Sequence, residues 1–453
     1  MNAFSCRRRP SQIPFPALLI LLIAGMLSSS AAPPEPIPEI LTPDQVGRWV
    51  EVMRTNHPAL AAATQRSRAA TLNAAGIRRF EDPEVRFGGA IYSPRGMNPA
   101  EQGNLVYGIE QKLPILGKET AARERAEAQA GAEAARTAAL LQEFRRDLAG
   151  ALFTAALAER AVALGRDDLK ALEAGTTSAE NRTAAGDGSS VDVLRLQSEV
   201  ARRSTELQAV QQGLEAARAA VNRWLGRPPE SPLPSFALPE PAPTVTFSPY
   251  LVALALKAEP RLRVLDQERS VAAADLTVSR RQRRPDLGVG VEGWQYAGDG
   301  GFRQGMFTVS LNLPWFNRDR YRRDIHRDEA RLEAARLDTQ DRELAVSEEI
   351  FRLTTRLSAT RSAAVTYRDT IRPRATAAYA AALGAWTSGR GSLTDVLDTR
   401  RARLDAELEE ARAIAEQWTA LSELLLCCGL EEMEALWEPP AAAMPASGSV
   451  PHP

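Results

Sequence analysis

Ser190-Val191-Asp192-Val193-Leu194 and Leu393-Thr394-Asp395-Val396-Leu397 read alike, and each opens a helical stretch behind a Gly/Ser/Thr turn. Working outward from this pair, further landmarks recur in the same order. Gly226 matches Gly429. Lys112-Leu113-Pro114-Ile115-Leu116-Gly117 matches Asn312-Leu313-Pro314-Trp315-Phe316-Asn317. Asp82-Pro83-Glu84-Val85 matches Arg284-Pro285-Asp286-Leu287, and His57-Pro58-Ala59-Leu60 matches Glu259-Pro260-Arg261-Leu262. The spacing stays between 200 and 203 residues throughout. A repeat of that constancy marks a duplication. It divides the 453 residues into a first copy at 32–226, a Pro-rich linker at 227–249 and a second copy at 250–429. Residues 430–453 read as a disordered tail. The linker prolines favour an extended path.

Both copies carry one plan: a helical stretch (about 42–79 and 250–282), two short strand-like blocks, a very long helix (about 117–174 and 317–387), a turn, and a last helix (about 190–225 and 392–428). Val193, Val200, Leu207, Leu214 and Val221 are apolar at seven-residue steps, as are Leu397, Leu404, Ala411, Trp418 and Leu425. That is a heptad seam. At about 1.5 Å per residue the long helices reach roughly 90–105 Å, more than a globular domain uses. The two shorter helices of a copy, end to end, come to the same length. The geometry is that of a tube wall.

The strand blocks alternate. Val85, Phe87 and Gly89 interleave with Arg86, Gly88 and Ala90, and Leu105, Tyr107 and Ile109 with Val106, Gly108 and Glu110. Leu287, Val289 and Val291 interleave with Gly288, Gly290 and Glu292, and Phe307, Val309 and Leu311 with Thr308, Ser310 and Asn312. An apolar face against a small or polar face suits a strand between lipid and an aqueous lumen, and a half-buried soluble sheet also shows it. Tyr92, Trp294, Tyr296, Trp315 and Phe316 cluster at the block ends, where interfacial girdles belong. Four strands cannot close a barrel, for which about eight is the minimum; three chains would supply twelve.

Charge is balanced, at 56 Lys+Arg against 57 Asp+Glu. With no basic cluster read outside the N-terminus, this argues against a nucleic-acid partner. Arg7, Arg8 and Arg9 precede the apolar run Phe15–Leu27 and the small residues Ser28–Ala32, the pattern of an export signal over 1–31. Cys6 precedes that run and is no lipidation site. Cys427 and Cys428 are neighbours on a helix, a poor geometry for a disulfide. They suit a small core position, with soft-metal binding as the alternative. Gly288, Gly290 and Gly293 match a dinucleotide fingerprint but sit inside a strand. His57 and His326 read as isolated surface residues, and no metal site or cofactor is expected. No nucleophile–base constellation or phosphate loop points to an enzyme.

The duplicated plan resembles the TolC family of outer-membrane factors over about Leu41 to Gly429. Asn56-His57-Pro58, Glu259-Pro260, the Leu-Pro turns at Pro114 and Pro314, Gly117-Lys118, and Gly389…Leu393-Thr394-Asp395-Val396-Leu397-Asp398 carry the resemblance. It implies a mainly α fold with a small transmembrane β part. A homotrimer would share a twelve-stranded β-barrel in outer-membrane lipid above a long α-helical periplasmic tunnel. It further implies a passive efflux duct served by a periplasmic adaptor and an inner-membrane pump of the resistance-nodulation-division type. Leu113-Pro114-Ile115-Leu116-Gly117-Lys118 is similar to the heavy-metal branch. A pore-less coiled-coil adaptor and a duct for type I protein secretion stand as alternatives.

Asp395 and Asp398 share a helix face just past the second turn. In the family pattern they line a constricted entrance, where rings of carboxylates select cations; helix capping is the competing role. Arg390, one position before the family's arginine, is expected to tether the second turn to the first through Asp192. The turns Thr176–Ser190 and Ser388–Ser392, with Gly186, Gly188, Gly389 and Gly391, are expected to meet the adaptor.

Overall fold

The computed structural model of the chain describes residues 38–78, 80–91, 103–296 and 300–430. The export signal expected at 1–31, Tyr92 and nearly all of the expected tail lie outside them.

After a two-residue strand β1 (Glu39–Ile40), the first copy forms α1 (Pro43–Asn56), α2 (Pro58–Gly76), β2 (Glu84–Ile91), β3 (Gly103–Leu113), α3 (Lys118–Ala184) and α4 (Ser190–Trp224). The linker contributes β4 (Phe236–Ala237). The second copy forms α5 (Pro249–Ala258), α6 (Pro260–Gln282), β5 (Asp286–Tyr296), β6 (Phe302–Asn312), α7 (Arg318–Thr366), α8 (Arg372–Thr387) and α9 (Leu393–Cys428). The order two helices, two strands, a long helical rod and a last helix occurs twice among the described residues.

The first helical stretch of each copy breaks where a proline forbids the backbone hydrogen bond of a continuing helix. His57 and Glu259 then cap the new helix: His57 Nδ1 accepts from Ala59 N at 3.2 Å, and a Glu259 carboxylate oxygen from Leu262 N at 2.5 Å. His57 is therefore not an isolated surface residue. It packs edge-on to Phe144 at 4.7 Å and stacks at 6.2 Å with Trp224. Burial and nearby Arg223 lower its pKa, so it stays neutral near pH 7.

α3 runs 67 residues without a break, about 100 Å at the helical rise. Its expected end near 174 is too early. Thr176 and Thr177 satisfy their hydroxyls on the Leu172 and Glu173 carbonyls one turn back, so the helix continues to Ala184. In the second copy α7 and α8 make one rod joined by a π turn at Tyr367–Ile371. Pro373 lies just beyond; its ring would collide with the carbonyl four residues back, and a widened turn relieves that clash.

Packing places α3 beside α2 and α6 along its first half and beside α4 and α9 along its second. α7 leans on α6, then on α9, and α9 goes on to pack against α8. The result is a layer of helices, one wall segment, with α2 and α4 along one margin and α7 and α8 along the other. Leu72 on α2 and Leu344 and Phe351 on α7 are large apolar residues left exposed at these margins.

The main core lies midway. Leu148, Leu152, Phe153, Ile350, Leu353, Leu421 and Leu424 are fully enclosed there. The linker belongs to this core and is not a free spacer. Phe236, Ala242 and Val245 are buried, and β4 pairs in parallel with β1. Helix side chains satisfy its backbone. Gln417 both donates to and accepts from Ala242 at 3.0 Å, and Asn222 donates to the Pro229 and Ser231 carbonyls. Such pairing meets the requirement that a buried backbone keep its hydrogen bonds.

Cys427 and Cys428 are free and buried in this core. Burial pushes the Cys428 thiol up to about 12. It pushes Cys427 higher still, with help from Glu349. Thiolate is the reactive form, so alkylation at pH 8 should need denaturant. Labelling of the native protein at the rate of a free thiol would contradict this burial.

The four longer strands form one antiparallel sheet in the order β2-β3-β5-β6. Directly paired residues share a face, so the register tests the alternation. Val85, Ile109, Val291 and Phe307 align across the sheet, as do Arg86, Gly108, Glu292 and Met306. The apolar face stands open: Phe87 is 79% and Phe307 68% exposed. On the other face Glu110 takes a bond from Ser310 and an ion pair from Arg86. Trp294, one of the expected girdle residues, does not share the apolar face. It pairs with Val106 and Gln304, on the polar face. A register shift follows between Trp294 and Gln295, and such bulges re-aim the side chains around them. Trp315 and Phe316 occupy a 3-10 turn at Pro314–Asn317 and are exposed.

Candidate functional site

The turns joining α3 to α4 and α8 to α9 lie a full long-helix length from the strands. Gly186-Asp187-Gly188-Ser189 and Gly389-Arg390-Gly391-Ser392 build them alike. Gly186 and Gly389 have φ of 86° and 71°, a left-handed conformation that glycine adopts without penalty. Their N–H groups close back on Thr183 and Trp386, and those of Asp187 and Arg390 on Arg182 and Ala385. This is the Schellman closure of a helix end. A Cβ on Gly188 would lie 2.5 Å from Thr183 N, and on Gly391 2.9 Å from the Ala385 Cβ. All four glycines expected at the contact surface therefore shape the turns.

Ser392 caps α9, accepting from Asp395 N at 3.1 Å. The cap comes from the serine, so the Asp395 carboxylate is spared that role. It is exposed and makes no hydrogen bond or ion pair among the described residues. Its place in the first helical turn suits a negative charge. Asp398 is also exposed, 3.7 Å from Arg401. At the equivalent place in the first copy stands Arg195, which donates to Thr394 Oγ1 at 3.5 Å. The acid pair is thus a property of the second copy alone.

Arg390 and Asp192 are not joined. Arg390 Nε donates to Ser388 Oγ at 3.2 Å within its own turn. Asp192 instead accepts from Trp386 Nε1 at 3.3 Å. Trp386, buried at the end of α8, also receives Arg182: its guanidinium lies 5.3 Å from the ring centroid and donates to the Trp386 carbonyl at 3.0 Å. With Leu172, Leu196, Leu393 and Val396 it forms a separate apolar cluster at the tip. Sequence reading passed over Trp386; its position three residues before Gly389, in a stretch poor in aromatics, was the available signal. Trp386→Phe should keep the packing and lose a hydrogen bond worth about 1 kcal/mol. Resting conductance in planar bilayers should then rise a few-fold, and an unchanged conductance would remove Trp386 from the closure of the tip.

Above the tip, charge is buried. Asp168 on α3 is 1% exposed. It pairs with Arg400 of α9 at 2.6 Å and Arg203 of α4 at 2.9 Å. Glu199 takes Arg202 at 2.7 Å, Arg401 at 2.6 Å and Arg400 at 3.2 Å. Burial alone would raise the Glu199 carboxyl, but Arg202 and Arg401 outweigh it and hold it below its ordinary value. This network clamps α9 between α3 and α4.

The family model for outer membrane efflux proteins matches residues 49–227 and 251–430, one match per copy. The chain is 24% identical over 323 residues to the cobalt-zinc-cadmium resistance protein CzcC of Cupriavidus metallidurans, covering 69% of this chain and 74% of that protein. Among solved structures it is similar to CusC, with TM-score 0.75 at 14% identity over 85% of this chain and 92% of that one. It is also similar to the VceC outer membrane protein of Vibrio cholerae, with TM-score 0.71 at 19% identity over 85% and 96%. The Campylobacter jejuni CmeC outer membrane channel gives 0.72 at 12% identity over 93% and 94%.

Proposed function

The chain belongs to the outer membrane efflux protein family, whose members are outer-membrane channels with a large periplasmic helical part, and on that premise we propose how its own residues serve the duct. Members of this family work as trimers with an adaptor and an inner-membrane pump. Three copies of this chain pair β6 of each with β2 of the next, giving twelve strands, while the exposed apolar margins of α2 and α7 cover one another. Asp395 and Asp398 form the cation-selective entrance. The observation that carries this is the exposed, unpartnered Asp395 carboxylate at the tip, spared from capping by Ser392. Six carboxylates at a narrow ring attract cations and repel each other unless cations bind among them. The cargo is heavy-metal cations, a reading supported by the similarity to CzcC, and the pump is of the resistance-nodulation-division type. The turns around Gly186, Gly188, Gly389 and Gly391 receive the adaptor.

The test is Asp395→Asn with Asp398→Asn in planar bilayers. Cation selectivity and block by multivalent cations should both fall. A double variant that keeps both places the gate elsewhere. Cysteines set in the two turns should cross-link to the adaptor; cross-links confined to the 93–104 or 297–305 loops would reverse the orientation of the duct.

A further inference from the structure

The expectation of no basic cluster past the N-terminus fails at Arg280-Arg281-Gln282-Arg283-Arg284, four arginines in five residues. The fold enlarges it. Arg280, Arg281, Arg283 and Arg284 end α6 and lead into β5, while Arg318, Arg320, Arg322, Arg323 and Arg327 open α7 just after β6. Antiparallel pairing of β5 with β6 brings the two segments together. They hold nine arginines against two acids, Asp319 and Asp324. The corresponding segments of the first copy, 78–82 and 118–127, hold five basic and five acidic residues. The duplication thus supplies its own control: one plan needs no positive charge here, and the second copy has gained it.

Arg283, Arg318 and Arg322 line a cavity of about 200 Å³ with Ile325 and His326. None of the three guanidinium groups makes a hydrogen bond or ion pair among the described residues. The nearby acids are engaged elsewhere. Asp324 pairs with Arg327 at 3.0 Å. Asp328 is held at about 2 by Arg327, against its own burial, with Ser279 donating to it. Glu329 meets Arg280 and His326. Asp319 does not line the cavity. Exposed Trp315 and Phe316 precede Arg318 with only Asn317 between. Aromatics followed by unpaired guanidiniums at the foot of membrane-spanning strands belong to the headgroup level of a bilayer.

We propose that Arg283, Arg318 and Arg322 form a site for the phosphate of an anionic phospholipid in the membrane leaflet facing the helical tunnel. It rests on the outer-membrane reading above. A guanidinium presents paired donors to phosphate oxygens, three of them more than offset the charge of one phosphodiester, and Trp315 and Phe316 lie beside its acyl chains. The site fixes the depth of the duct in the bilayer at one place per protomer, on the second copy only.

The full-length trimer is reconstituted into nanodiscs of phosphatidylethanolamine with one-fifth phosphatidylglycerol, re-extracted, and its retained lipid measured by mass spectrometry. The wild type should retain phosphatidylglycerol in excess of its share. Arg283→Gln, Arg318→Gln and Arg322→Gln together should cut that retention by roughly a hundredfold, the order expected for three lost guanidiniums. Arg66→Gln, Arg68→Gln and Arg166→Gln, an equal charge change elsewhere, should not. Equal retention by wild type and triple variant overturns the site. So does retention of both lipids in proportion to their supply. Displacement of the phosphatidylglycerol by millimolar inorganic phosphate assigns the cavity to free anions instead. Loss of the trimer in the triple variant assigns the arginines to contacts between copies. Failure of the wild type to insert would overturn the outer-membrane reading itself, a result separable from insertion without lipid retention.

Discussion

Asp168→Asn is expected to destabilise the helical part of the protein by about 3–5 kcal/mol, because removing one member of a buried ion pair strands the other. Arg400 is only 2% exposed and would keep Glu199 alone, at 3.2 Å. Arg400→Met should cost a similar amount by leaving Asp168 with Arg203. The pair itself is worth less than either loss, since two desolvated charges offset much of their attraction. Asp168→Leu combined with Arg400→Met should therefore recover much of the stability. Urea unfolding followed by helical circular dichroism measures all three. Single variants as stable as the wild type would mean that water reaches the pair and that the clamp on α9 is loose. The neighbouring Glu199 adds a pH dependence. Its pKa is depressed on folding from a reference value of 4.5. Its stabilising share is then present above about that pH and is lost as the pH falls through the lower folded value.

Gly429→Ala is expected to be the most damaging conservative change in the chain, with Gly226→Ala close behind. Gly429 ends α9 at φ 61° and Gly226 follows α4 at φ 68°, where a side chain costs about 1–2 kcal/mol. Space is also closed. A Cβ at Gly429 would lie 2.7 Å from the Ala258 carbonyl carbon, and at Gly226 2.7 Å from the Asn56 carbonyl oxygen. Asn56 and Ala258 are the last residues before the His57-Pro58 and Glu259-Pro260 breaks, so each glycine seats the end of its copy against the start. The combined loss should reach about 3 kcal/mol or more at each site. Gly175→Ala is the control. It lies inside α3 with nothing near its Cβ position, and alanine there should stabilise by up to about 1 kcal/mol. Equal effects at Gly175 and Gly429 would refute the contact.

What the sequence made legible followed from local rules. Prolines before helices, glycines after them and a period of two in the strands are properties of a few adjacent residues, so the duplicated plan and the alternating sheet were readable. Residues that act through distant partners were not. Asp168 and Arg400 are 232 positions apart, and a charged residue on a helix usually faces water. Arg283 and Arg318 meet only because a hairpin lies between them. Trp294 was assigned to the girdle by its place at a block end, although the period of two through Gly288, Gly290 and Glu292 carries it to the polar face. The Arg390–Asp192 tether was drawn from a family pattern whose arginine falls at Gly391 here, and in the structure Asp192 bonds to Trp386. The turn was opened too early at Thr176 because threonine suits turns but also bonds back along a helix.

The seam between β3 and β5 sets a timetable for assembly. β2 with β3 and β5 with β6 are hairpins that close locally, whereas β3 and β5 join the two copies, pairing Tyr107 with Gly293. Loop closure over that distance is slow, and the second hairpin leaves the ribosome only after the first copy is complete. Until then the first hairpin carries two open edges and a greasy face through water, the configuration that seeds cross-strand aggregation. The helical core waits as well, because Leu148 and Leu152 of α3 share it with Ile350 and Leu353 of α7 and Leu421 of α9. Newly exported chains should therefore present open hairpins until both copies are in place, and need a holding chaperone for them until the seam forms and the membrane takes the apolar face.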